Sequence, residues 1–179
     1  MTSSRTLAAL TAGLLALGLL AGCAPTPEPK PTKTAAFASD EEAFAAAKKT
    51  YEEYTKALNA VDTTDPETFE PVFSWTMGDA DAAIRKALSQ LHAENVTMAG
   101  ETKIASFKQV SVDAASGQVV LAMCVDVSET DTIDKDGKSL VPEGRSDLVP
   151  VRAQFSNADT STKLKIASSD ADTEHACSS

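Results

Sequence analysis

The sequence predicts an α+β domain in which N-terminal helices pack on an antiparallel sheet. Three observations carry this. Apolar residues recur at helical spacing between positions 44 and 61, they alternate at strand spacing after Asn95, and the alternating segments are joined by short, turn-rich connections. Helices first and a meander afterwards is an α+β order, and short connections make the strands antiparallel.

Helix 1 is expected over 39–61. Ser39 followed by Asp40, Glu41 and Glu42 is a capping box, and the acids suit a helix N-terminus. Phe44, Ala47, Tyr51, Tyr54, Leu58 and Val61 then share one face, with Lys48, Lys49, Glu52, Glu53 and Lys56 off it. Asp65-Pro66 opens a second helical piece, since proline is tolerated at a first helical position. Phe69, Val72, Phe73 and Trp75 load it with apolar mass, and Pro71 keeps it short or kinked. Asp79 is the expected cap of a third helix over 80–93, with Ile84, Leu88 and Leu91 on one side.

Strands are expected at 96–98, 104–112, 118–128, 148–155 and 164–167. In the third of them Val119, Leu121, Met123, Val125 and Val127 occupy one face, and Val120, Ala122, Cys124 and Asp126 the other. Ser116-Gly117, Asp136-Gly137 and 157–161 are the expected turns.

Charge narrows the function. The 179 residues carry 26 acids against 16 bases, a net charge of −10. So acidic a surface repels phosphate and excludes a nucleic-acid partner.

The first 22 residues stand apart. Arg5 precedes an apolar run from Leu7 to Leu20. As a helix this run rises about 21 Å, short of the roughly 30 Å hydrocarbon core, so it is a signal-peptide h-region. The run ends in Leu20-Ala21-Gly22-Cys23. That tetrapeptide resembles the lipobox of bacterial lipoproteins. The resemblance implies cleavage before Cys23, diacylglycerol on its thiol, further acylation such as palmitate on its amine, and a place on the outer face of the cell membrane. Residues 23–36 follow as a tether in which Pro25, Pro27, Pro29 and Pro31 alternate, an extended polyproline-type spacer. The expected organisation is a signal peptide over 1–22, the tether over 23–36 and the folded domain over 37–179.

The order of elements from residue 37 onward resembles the cystatin-like, nuclear-transport-factor-2-like cone, which implies a curved sheet. In such folds a strand often lies between helices 2 and 3, represented here by 73–77. The stretch from Cys124 to Ser128, the turn at Asp136-Gly137 and the late Cys177 resemble small lipoproteins of high-GC Gram-positive bacteria, mostly of unknown function.

With Cys23 assigned to the anchor, Cys124 and Cys177 remain. An even pair in an exported domain suggests a disulfide, worth roughly 4 kcal/mol on chain entropy. Tyr51, Tyr54, Trp75 and Asp126 are the candidate pocket residues. Cone-fold isomerases and cyclases pair a tyrosine or histidine with an aspartate of raised pKa, and Asp126 is the acid on a strand here. Against that role, it opens an acidic stretch, and alternation turns it away from the more apolar face.

No metal or cofactor site is expected. His92 and His175 are far apart in sequence, no phosphate-binding glycine loop occurs, and no Gly-x-Ser-x-Gly occurs. Asp134, Asp136, Gly137 and Glu143 partly fit a calcium loop, but Thr132 stands where the pattern needs Asp, and an Asp-Gly hairpin explains the same residues. The expectation is a non-catalytic module binding a small ligand or an envelope protein, with the membrane as partner through its lipid. A small cofactor-independent proton-transfer enzyme is the alternative.

Overall fold

The computed structural model describes residues 34–177. The expected signal peptide, Cys23 and the tether up to residue 33 lie outside those residues. Three helices pack on a curved antiparallel sheet, the α+β arrangement expected above.

Helix α1 spans Asp40–Asn59. The Ser39 hydroxyl accepts from the Glu42 N–H at 3.2 Å, and the Glu42 carboxylate accepts from the Ala38 N–H at 2.9 Å, so the capping box forms one residue wider than its simplest version. The buried stripe is Ala43, Ala47, Thr50, Tyr51 and Thr55, rotated slightly from the expected one. Thr50 tolerates burial because its hydroxyl donates to the Ala46 carbonyl at 2.8 Å and lies 2.7 Å from the Thr162 hydroxyl. A 3-10 turn over Pro66–Phe69 runs into the short α2, Glu70–Phe73. Helix α3 spans Gly78–Glu94. Its N-cap is Met77, which offers no side-chain bond, and Asp79 lies inside the first turn rather than capping it. Left-handed Asn95 ends it.

Strands β2 (Lys103–Asp113), β3 (Gln118–Asp126), β5 (Leu148–Asn157) and β6 (Leu164–Ala171) form the main sheet in the order β2-β3-β5-β6. Irregularities in the β2–β3 and β5–β6 pairings mark bulges, which bend and twist a sheet. Strand β1 (Thr97–Ala99) joins no main-sheet strand. It pairs with β4 (Asp131–Ile133), three residues that no periodicity announced. The residues between helices 2 and 3 make a single parallel bridge, Thr76 to Ile166, so the expected strand there is reduced to one pairing. Strand β3 stops at Asp126, whose carboxylate accepts from the Ser128 N–H at 2.9 Å and turns the chain. Strand β6 runs on through polar Ser168–Asp170, beyond its apolar pattern, because β5 supplies a pairing partner.

Two apolar clusters result. One fills the concave face between α1 and the sheet, with Leu121, Phe155, Leu164 and Ile166 at its centre. The other, Phe69, Val72, Phe73 and Leu88, joins α2 to α3. Tyr54 packs against both. Gly117 closes the β2–β3 turn at φ +70, where a Cβ would lie 2.9 Å from that of Asn157. The Ala36 and Phe37 N–H groups donate to the carbonyls of Ala115 and Ala114 beside this turn. No described helix is long and apolar enough to cross a membrane.

Candidate functional site: a cleft between α3 and β6

Along most of α3 the face toward β6 carries small side chains. Ala80, Ala83 and Ala87 fall at spacings of three and four, so they share that face. Short side chains leave room, and a cleft of about 210 Å³ opens between α3, Tyr54 of α1, Thr76, and Ile166 and Ser169 of β6. A cavity of about 150 Å³ holds a benzene-sized molecule, so this space suits one ring or a short branched chain.

The lining combines alanine and isoleucine with three hydroxyl-bearing residues, Tyr54, Thr76 and Ser169. Burial pushes the Tyr54 phenol far above its ordinary value, and the neighbouring Tyr51 adds to the shift. It therefore remains a neutral donor across the physiological range. Tyr51 itself is 6% exposed. Its ring lies 5.5 Å from that of Tyr54 and 6.5 Å from Phe155. Burial raises its phenol too, partly offset by a hydrogen bond with Ser169. Tyr51 is thus core, packed behind Tyr54.

Asp81 is tied to the cleft through the lining residue Thr76 and is held by an exposed neighbour, Arg85. Its carboxylate accepts from the Thr76 hydroxyl at 3.1 Å and from Arg85 Nε at 2.7 Å. Burial pushes its pKa up, but the bonds from Arg85 and Thr76 outweigh this and hold it below the usual carboxylate range. Arg85 is in turn stacked on Phe73, with its guanidinium carbon 3.8 Å from the ring centre. No carboxylate or imidazole lines the cleft among the described residues.

Of the four candidate pocket residues, Tyr51 and Tyr54 meet and the others stand apart. Trp75 is half-buried and enters through its backbone, its carbonyl accepting from the Ile166 N–H at 2.9 Å. Asp126 lies on the outward-facing parity of β3, shared with Cys124. The hydrogen bonds from Ser128 hold it below the usual carboxylate range, the opposite of the shift a proton-transfer acid requires. Thr76, Ser169 and the α3 alanines were not singled out from the sequence. The small-residue spacing on α3 was the one signal that pointed to them.

The outer face of the sheet carries a second polar cluster. Cys124 and Cys177 form a disulfide with Cα atoms 5.7 Å apart. The tail leading to Cys177 brings Asp172, Glu174 and His175 together, with one ligand-type atom from each within 4.8 Å of the others. Arg152 stands among them. Its Nη2 lies 3.3 Å from Asp172 Oδ1 and 3.4 Å from His175 Nδ1, and it also pairs with Glu174. The guanidinium thus engages all three of these side chains. In the long β4–β5 connection, Asp134 Oδ1 accepts from the Asp136 and Lys138 N–H groups at 2.9 Å each, the internal bonding of a hairpin turn. His92 bonds through Nδ1 to the Thr63 carbonyl at 2.8 Å and meets Phe69 edge-on, a structural role.

No protein-family model matches the sequence, and no curated relative does. Among solved structures, the chain is similar to a provisionally assigned aromatic ring hydroxylase from Novosphingobium aromaticivorans, at 15% identity over 72% of this chain and 86% of that one, with a TM-score of 0.48. It is also similar to a Catenulispora acidiphila protein solved in complex with S-DNPA, at 17% identity over 70% and 89%, with a TM-score of 0.45. The protein Aln2 from a Streptomyces species shares 13% identity over 74% and 90%, with a TM-score of 0.43. These likenesses concern the general course of the backbone and assign no residue a role.

Proposed function

We propose that this chain is a lipid-anchored, extracytoplasmic binding module whose α3–β6 cleft takes a small, neutral, partly apolar ligand. The observation that carries the ligand class is the lining: neutral, hydroxyl-bearing residues among alanine and isoleucine, with no charged side chain among the described lining residues. Such a surface rewards an apolar body with one or two hydrogen-bonding groups, and it leaves an ionic ligand without a counter-charge. Proton transfer next to a carbonyl needs a base within hydrogen-bond reach of the substrate. Tyr54 stays protonated and Asp81 is tied to Arg85, so the lining favours binding over catalysis.

Anchoring rests on Leu20-Ala21-Gly22-Cys23. Cys23→Ala is expected to abolish lipid labelling and move the protein to the aqueous phase in detergent partitioning. Unchanged partitioning refutes the anchor. Binding is tested by saturation-transfer NMR with single-ring alcohols and ketones. Contacts with Kd near about 1 mM are expected, on ligand efficiencies for so few atoms. Ala83→Leu with Ala87→Leu fills the cleft from an exposed helix face and should weaken them at least about tenfold, a loss of about 1.4 kcal/mol. Equal binding by the filled variant rules the cleft out.

A further inference from the structure

The tail over residues 172–177 crosses the outer face of the sheet, and its two ends are held by different means. At the near end, the Asp172 N–H donates to the Pro150 carbonyl at 3.0 Å. The Asp172 side chain is 1% exposed. It accepts from the Glu174 N–H at 2.9 Å, faces His175 Nδ1 at 2.9 Å and pairs with Arg152. At the far end, no hydrogen bond or ion pair joins Ala176 or Cys177 to the sheet among the described residues. The bond to Cys124 is the tie there.

Two further observations bear on what this tie does. Ala122 has the outward parity of β3, yet it is 3% exposed. Its β5 register partner is Arg152, and together with His175 and Ala176 it lines a cleft of about 360 Å³ whose sheet side includes Ser106 and Lys108. The tail thus builds one wall of a cleft and covers apolar strand surface. In addition, no tail residue belongs to either apolar cluster, so the packing that holds the domain together lies wholly on the other side.

We propose that the C-terminal tail is a redox-latched strap. It is closed over the outer face while Cys124 and Cys177 are joined, and it opens from its far end when a dithiol reduces them. A thiolate of the reductant attacks one sulfur, and the other cysteine leaves as thiolate and takes up a proton. The second thiol of the reductant then resolves the mixed disulfide. Two electrons pass from the dithiol, which becomes a disulfide, and two cysteine thiols result. Both cysteines are half-buried, so the bond is not sealed from a small reductant. Opening uncovers Ala122 and Cys124 and removes the far part of the cleft wall, while Arg152 keeps the near end in place.

The test is hydrogen exchange by mass spectrometry and backbone 15N relaxation on the full chain, oxidised and after dithiothreitol, with Cys124 followed by peptide mapping so that Cys23 does not enter the count. Slow exchange should persist in α1, β3 and β5, quickened only by the fall in global stability, while backbone 15N relaxation across 174–177 should change to that of a free terminus. Cys124 should become alkylated in the folded protein. Cys177→Ser, which removes the latch without a reductant, should reproduce the pattern. A tail that stays ordered with Cys124 inert overturns the proposal. So does loss of protection throughout the domain, which would make the disulfide a staple of the fold.

Discussion

The two faces of the sheet are built by alternate residues of the same strands, and they are held by different forces. On the concave face, Leu121, Ala153, Phe155 and Ile166 are almost wholly buried against α1, and cohesion there is apolar packing. On the outer face, Ala122, Cys124 and Arg152 meet the tail through a disulfide and a charged cluster. Packing of the first kind tolerates changes of salt, pH and redox state. Charge and sulfur respond to each of them. One face suits a permanent scaffold with a preformed cleft, and the other suits a part that can be released.

The strongest way to break this contrast is a core truncation. Phe155→Ala should cost about 3–5 kcal/mol in urea melts, with the slope unchanged. A cost below about 1 kcal/mol would mean that the concave face is not the principal core. Removing the latch comes next. Cys124→Ala with Cys177→Ala should lower stability by roughly 2–4 kcal/mol, chiefly by freeing the unfolded chain, and leave the far-ultraviolet circular dichroism intact. Loss of that spectrum would place the outer face inside the folding unit.

A pH series sharpens the comparison further. Burial raises the Asp172 carboxyl, but bonds from the Glu174 N–H, His175 and Arg152 bring it down to about 2, below its ordinary 3.8. Its contribution is therefore complete above about pH 4 and is lost as the pH falls toward about 2. Amide protection of residues 172–175 should fade in that window while the concave core holds. Fading that begins near neutrality instead would assign tail docking to another group. The smallest expected effect belongs to the cleft. Ala83→Leu with Ala87→Leu lies on an exposed helix face and should shift stability by no more than about 0.5 kcal/mol, since leucine is a good helix former. A larger loss would mean that the two leucines clash with β6 and that the cleft is too tight for a ring.

Much of this architecture could be read from residue patterns. Ser39 and Glu42 announced the start of α1, period-2 alternation announced β3 and β5, and two leftover cysteines announced the disulfide. The failures have physical causes. Ser168–Asp170 look like a turn, and only pairing with β5 makes them strand. Strand β4 is only three residues long, and its partner β1 lies far earlier in the chain, beyond the reach of any local pattern. Its neighbourhood also depends on Gly100, where a Cβ would fall 1.8 Å from the Glu129 carbonyl oxygen. The cleft escaped because it is defined by what α3 lacks. Its alanines carry no chemistry of their own, and Thr76 and Ser169 reach it from segments far apart in sequence. Asp126 attracted notice as an acid on a strand, and parity sends it to the opposite face.

The most direct test of the binding account is a protein-observed NMR titration of the oxidised domain with a single-ring alcohol or ketone. Resonances of Tyr54, Thr76, Ile166 and Ser169 should move together along one saturable curve. They should stay still in the Ala83→Leu, Ala87→Leu protein and move as before when the disulfide is reduced. Shifts confined to Ser106, Lys108 and His175 on the outer face, or shifts that survive filling of the α3 groove, would contradict it.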